Sequence, residues 1–206
     1  MTHFIVAVVV PPRIRNIDSF IARQMEPFDE NTDVEPYVAW SVDQAQQELK
    51  STIHRLELIQ FRREKGYDLE RIADSLAKLR GTTAELYYQQ RLHCYETFND
   101  RGEPLTTYNP DSKWDWYVIG GRWDGWIHDR VNTSERLEDN TVTTEEAVAR
   151  NKIPHAIITP DGQWHERGRM GWWASLLTEN EHWDEEAKAI FARYPGHQVV
   201  IVDAHI

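Results

Sequence analysis

Four of the nine tryptophans fall within 113–126, in the run Lys113-Trp114-Asp115-Trp116-Tyr117-Val118-Ile119-Gly120-Gly121-Arg122-Trp123-Asp124-Gly125-Trp126. Read as an extended chain from Lys113 to Ile119, the run sends Trp114, Trp116 and Val118 to one side and Asp115, Tyr117 and Ile119 to the other. Gly120 and Gly121 then permit a turn or bulge that a Cβ would resist, and they let a ligand or another backbone come close. Arg122 emerges beside the rings, with Trp123 following. Rings beside a guanidinium and open amides suit a planar anion such as a nucleotide: the indoles stack on the base while Arg122 and Lys113 meet phosphate. The competing expectation is a core packed around an irregular loop, with Arg122 neutralised by Asp115 or Asp124.

The last residues carry a second constellation. In an extended chain from Val199 to Ile206, the side chains of Ile201, Asp203 and His205 share one face, opposite Val200, Val202, Ala204 and Ile206. A carboxylate and an imidazole side by side can orient a general base or supply two metal ligands. If the first and last strands are antiparallel neighbours, His3 comes near His205. With His165, beside Glu166, as a third participant, the expected catalytic set is Asp203, His205 and His165, assisted by Asp115 or Asp124. No strict ligand spacing such as H-E-x-x-H is present, so no metal is assigned, and the cofactor stays open. A terminal Asp-x-His can equally be a polar sheet face near a fraying end. The chain has no Walker A loop, no G-x-G-x-x-G and no G-x-S-x-G, which disfavours a P-loop ATPase, a Rossmann oxidoreductase and an α/β-hydrolase. A further aromatic and glycine-rich stretch, with Trp164, Gly168, Met170, Gly171, Trp172 and Trp173, is expected to close over the first; packing beneath a loop is the alternative.

The stretch from Thr107-Tyr108-Asn109-Pro110-Asp111-Ser112 through Lys113-Trp114-Asp115-Trp116-Tyr117 to Ile119-Gly120-Gly121-Arg122-Trp123 resembles a family of bacteriophage and bacterial proteins. The likeness extends to Pro27-Phe28-Asp29-Glu30-Asn31, to Asp161-Gly162-Gln163-Trp164 with Met170-Gly171-Trp172, and to the closing Val202-Asp203-Ala204-His205-Ile206. Residues 41–98 carry no part of it. The resemblance implies no particular reaction; it implies a phage accessory role, including interference with host defence.

Elements must hold these residues in place. His3 to Val10 is rich in β-branched residues and stops at Pro11-Pro12, as a central strand would. A short helix is expected over 14–25. Ser41 with Gln44 makes a capping box ahead of apolar residues at helical spacing, Asp68 can cap a second helix ended by Gly81, and Thr82 with Glu85 begins a third that runs to about Phe98. Residues 41–98 thus read as a helical block inserted between strands. Thr143 with Glu146 starts a short helix, 153–159 makes a strand, Pro160-Asp161-Gly162 turns it into a hairpin, and 181–194 forms an amphipathic helix before the last strand. The expected fold is a single α+β domain, with an antiparallel or mixed sheet, ferredoxin-like in one version, covered by helices.

Composition narrows the partners. A formal net charge of -11 argues against non-specific binding to duplex nucleic acid, which needs clustered Lys and Arg. The acidic stretch 18–35 could meet a basic host protein, although a solvated surface predicts the same residues. No apolar run approaches the roughly 20 residues of a membrane span, and no leader pattern precedes the first strand, so a soluble cytoplasmic protein is expected. Cys94 stands alone and reads as a small buried residue on a helix. The leading expectation is a binding protein for a nucleotide-like or small anionic ligand, in a pocket made by 113–126 and 163–173. The alternatives are a metal-dependent or acid–base hydrolase using Asp203 and His205, and an acidic inhibitor acting through 18–35.

Overall fold

Two apolar, β-branched segments at opposite ends of the sequence pair to form the centre of a sheet. The computed structural model describes residues 2–63, 65–130, 136–168 and 180–206. In chain order the elements are β1 (His3–Val10), α1 (Ile17–Met25), β2 (Tyr37–Val38), α2 (Val42–Arg62), α3 (Leu69–Arg80), α4 (Ala84–Arg91), β3 (Leu105–Thr106) and β4 (Trp116–Ile119). They continue with β5 (Thr141–Thr143), α5 (Thr144–Ala149), β6 (Ala156–Ile158), β7 (Trp164–Glu166), α6 (Trp183–Ala192) and β8 (Gln198–His205). The fold is α+β. It divides into two compact units, Met1–Asp33 with Tyr108–Ile206, and Val34–Thr107.

The first unit holds a mixed sheet in the order β4-β8-β1-β6-β7, with β5 also paired to β8. β1 runs antiparallel to β8 along its whole length, His3 facing His205 and Val10 facing Gln198, and parallel to β6. A split β-α-β would place another strand between β1 and its parallel partner, so the ferredoxin-like order is not formed. Both faces of the central strands are covered. Phe4, Val6, Val8, Val200, Val202 and Ala204 pack with Phe20, Ile21 and Met25 of α1 and with Trp114. Ala7, Val9, Val199 and Ile201 pack on the other side with Ala147 of α5 and with Trp183, Ala187, Ile190 and Phe191 of α6. Each fully buried large side chain contributes roughly 1.5–3 kcal/mol, which is why strands covered on both sides carry apolar runs instead of alternation.

The helices follow local rules. In α6, Trp183, Ala187, Ile190 and Phe191 recur at helical spacing, and Asp184, Glu185 and Glu186 place negative charge in the first turn, where the helix dipole favours it. The expected capping box of Thr143 and Glu146 opens α5. α1 begins later than expected, because the Asn16 side chain accepts from Ser19 N and fixes the start at Ile17.

The second unit contains the expected helical block and a two-stranded pair of β2 with β3. Ser41 and Gln44 form the capping box of α2, and Asp68 caps α3 by accepting from Glu70 N and Arg71 N. α4 is capped by Thr83, not Thr82, and ends at Arg91 well short of Phe98. A 3-10 turn, Leu92–Cys94, takes the chain out of the helix, and Cys94 is exposed instead of buried.

Candidate functional site

The register of three strands brings the two constellations of the sequence together at one end of the sheet. His205 faces His3 on one side and Trp116 on the other, while Asp203 faces Ile5 and Val118. Because alternate residues of a strand share a face, His3, Asp203, His205, Trp116 and Val118 lie on the same side of the sheet, beyond the apolar packing of α5 and α6.

Each imidazole is held by its own carboxylate. Nδ1 of His3 donates to both oxygens of Asp203, at 2.9 and 3.1 Å. Nδ1 of His205 donates to Asp115 Oδ1 at 2.6 Å. An ionised carboxylate can only accept, so in each pair the proton sits on Nδ1 and the ring presents Nε2 elsewhere. Among the described residues neither Nε2 is hydrogen-bonded, and neither is a buried atom lacking a partner, so both reach solvent. Asp203 is only 1% exposed and His205 5%, whereas Trp116 is 43% exposed. The three rings form a compact group: His3 and His205 have centroids 5.1 Å apart at 75°, Trp116 stacks on His205 at 5.2 Å and 15°, and His3 meets Trp116 edge-on at 5.2 Å.

The glycine pair after β4 serves the buried carboxylate. Gly121 has φ +53, and a Cβ there would lie 2.6 Å from Asp203 Oδ2 and 2.7 Å from its Cβ. Without a side chain the turn closes onto Asp203, and the Arg122 N–H donates to Oδ2 at 2.9 Å. Asp203 therefore receives three hydrogen bonds from His3 and Arg122, which is how a nearly sealed carboxylate is satisfied. Gly120 (φ +76) approaches the Asn140 side chain in the same way, a Cβ there falling 2.6 Å from Nδ2. Asn140, fully buried, ties the loop together: Nδ2 donates to Asp124 Oδ1 at 2.7 Å and to Arg136 O at 3.1 Å, and Oδ1 accepts from Gly125 N at 3.1 Å. Arg122 itself is exposed and makes no ion pair among the described residues.

Several expected site residues are elsewhere. Trp114 does not share a face with Trp116. Its N–H points to Phe28 O and its carbonyl accepts from Glu30 N, whereas Asp115 N already donates to His205 O. Changing pairing partner between these residues interrupts the alternation, which holds only along one continuous ladder. Trp114 is accordingly buried on the opposite face, edge-on to Tyr117 at 4.9 Å, with Nε1 donating to Met25 O. Burial, and then the Asp18 and Asp29 carboxylates, push the Tyr117 hydroxyl pKa upward. Lys113 pairs with Glu166 at 3.0 Å, and Trp164 Nε1 donates to the same carboxylate at 2.9 Å, so both lie beside Phe28, where Lys113 N donates to Phe28 O. His165 pairs with Ile157 near the far edge of the sheet, away from His3 and His205. There burial, and then the Arg193 charge, lower its pKa. Trp123 packs against the apolar cluster under α6. Trp172, with Met170, Gly171 and Trp173, lies outside the described residues.

The sequence thus supplied Asp203, His205, Asp115, Trp116, Gly120, Gly121 and Arg122, and it brought His3 beside His205 on the condition, met here, that the first and last strands pair antiparallel. The signal was the matching position of one histidine near each end of two apolar strands. Among the described residues, no group of three or more His, Cys, Asp or Glu is arranged to hold a metal ion. No helix of the described residues is long and apolar enough to cross a membrane. Neither His3 nor His205 lines the two surface depressions, one of which is bordered by Tyr87, Arg91, Cys94 and Tyr95 of the second unit and the other by Thr144, Phe191 and Pro195 of the first. Set against protein-family models, curated proteins and solved structures, the chain finds no match in any of the three comparisons.

Proposed function

We propose that the protein binds a small anionic, nucleotide-like ligand at the end of its sheet, on the Nε2 atoms of His3 and His205, with Trp116 beside it and Arg122 supplying charge. The observation that carries this is the pair of imidazoles 5.1 Å apart, each fixed through Nδ1 by a carboxylate. Fixed in that way, the rings need no reordering to offer Nε2 to a ligand, and a site organised in advance loses less free energy on binding. Arg122, exposed on the turn after β4, adds a positive charge without a lysine cluster in an acidic chain. The half-exposed indole of Trp116 gives a planar group a surface to rest on. The resemblance to phage proteins suits an accessory role for such binding, including interference with host defence.

Imidazole-detected nitrogen NMR during titration with inorganic phosphate, and then with adenosine monophosphate, tests the proposal. The His3 and His205 signals should move together and saturate at one ligand concentration, and the nucleotide should additionally perturb the Trp116 indole. Movement of other histidines alone, with these two unchanged, refutes it.

A further inference from the structure

We infer that the same site cleaves phosphodiesters, with His3 as general base and His205 as general acid, an inference that rests on the anion-binding reading above. Two imidazoles side by side, each held in a fixed tautomer by its own carboxylate, are what a concerted displacement needs: one group to remove a proton and another to deliver one. Charge around the rings comes from Asp203 and Asp115 behind them and from Arg122 on the turn after β4, besides each ring's effect on the other.

The two rings differ in ways that assign their roles. His205 lies flat against Trp116, with an interplanar angle of 15° and centroids 5.2 Å apart, and makes the shorter carboxylate contact, at 2.6 Å. An indole face and a close carboxylate both suit His205 to the role of general acid. His3 meets Trp116 only edge-on, and its carboxylate shares its charge with the Arg122 N–H. His3 is therefore assigned the base. In the step, Nε2 of His3 takes a proton from water as the water oxygen forms a new bond to phosphorus. The bond from phosphorus to the leaving oxygen breaks as Nε2 of His205 gives that oxygen its proton. One water is consumed, an alcohol and a phosphomonoester are released, and proton exchange with solvent resets the two rings.

Phosphorus fits better than an acyl carbon for two reasons. Among the described residues no Ser, Thr or Cys side chain is hydrogen-bonded to either imidazole, so neither has a nucleophile to activate. The Arg122 N–H, which could otherwise serve an acyl oxyanion, is committed to Asp203. Phosphoryl transfer asks mainly for positioning and charge neutralisation, which the imidazolium and the Arg122 guanidinium supply. Asp203 and Asp115 are positioning residues, acting through the rings that they hold.

The test uses the whole chain in excess EDTA, following p-nitrophenol release from thymidine 5′-(p-nitrophenyl phosphate), bis(p-nitrophenyl) phosphate and p-nitrophenyl acetate. Both phosphodiesters should turn over. His3→Asn and His205→Asn, which keep a donor near the place of Nδ1, should each lower kcat/KM by about 10²- to 10⁴-fold, with folding checked by near-ultraviolet circular dichroism. Asp115→Asn, at a partly exposed position, should move the basic limb of the pH–rate profile, which reports the acid His205, and not merely its height. Trp116→Ala should raise KM for the thymidine ester about tenfold or more while changing bis(p-nitrophenyl) phosphate less. If phosphate shifts both imidazole signals but neither phosphodiester is cleaved, the catalytic inference falls and the binding reading stands. Cleavage of the acetate alone, or phosphodiester cleavage that survives both histidine variants, also overturns it. If phosphate leaves both imidazoles unmoved and nothing is cleaved, both fall together.

Discussion

Replacing Gly121 by Ala probes the contact on which the site depends. The cost has two parts that can be separated. At φ +53 the backbone is left-handed, which costs a residue with a Cβ about 1–2 kcal/mol. The new Cβ would also stand 2.6 Å from Asp203 Oδ2, 2.7 Å from Asp203 Cβ and 2.7 Å from Val118 Cγ1. Asp203 is almost sealed, so the clash must move the carboxylate or the turn, and such overpacking costs about 1–3 kcal/mol. The total is about 2–5 kcal/mol. Gly196 is the control in the same unit, since it has φ +71 and nothing within 4 Å of the place a Cβ would take, so its Ala variant carries the backbone cost alone. The difference between the two variants, about 1–3 kcal/mol, corresponds to roughly 2–12 °C in Tm for a chain of this size. Urea and thermal unfolding followed by tryptophan fluorescence measure it. The Gly121 variant should also broaden or shift the His3 imidazole signals, which the Gly196 variant leaves alone. Equal losses of stability, with His3 unchanged, would show that Asp203 has room to spare and that the turn is not wedged against it.

Asn140→Ala should cost about 2–4 kcal/mol, measured by urea unfolding, because it takes a donor from buried Asp124 and the acceptor from the Gly125 N–H; a loss under about 0.5 kcal/mol would contradict that network. Two tryptophans two residues apart should behave oppositely: Trp114→Ala should destabilise by about 3–5 kcal/mol, whereas Trp116→Ala should cost about 1 kcal/mol and instead weaken the response of the two imidazoles to nucleotide. Burial, only partly opposed by the Glu166 carboxylate, holds His155 below the usual imidazole range. Between the unfolded value, about 6.5, and the lower folded one, the unfolded chain binds the additional proton. Stability is therefore full above the unfolded value and lost as pH falls through the folded one. Denaturation midpoints at pH 7.5 and 5.5 should separate further in the native protein than in His155→Gln, and identical separations would dismiss His155 as a source of the pH dependence.

Sequence alone decided what short-range physics can decide. The capping boxes at Ser41 and Thr143, the Asp68 cap, the end of α3 at Gly81 and the apolar face of α6 all follow from contacts between residues at most a few positions apart. Alternation along β8 likewise placed Asp203 beside His205 before any partner was known. The mistakes arose where the chain changes partner. Trp114 and Trp116 were expected on one face, but Trp114 bonds to the 28–30 segment and Trp116 to β8, and nothing in the intervening sequence announces that exchange. His165 looked as eligible as His3 until the strand order put it near the opposite edge. His3 and Asp203 lie 200 positions apart, and Asp115 and His205 lie 90 apart. Such pairs form because burying both faces of the central strands selects one register, and that selection depends on every residue in the two covering layers. Residue types and local geometry thus determined which groups were available for chemistry, whereas the collective packing of the sheet decided which of them meet.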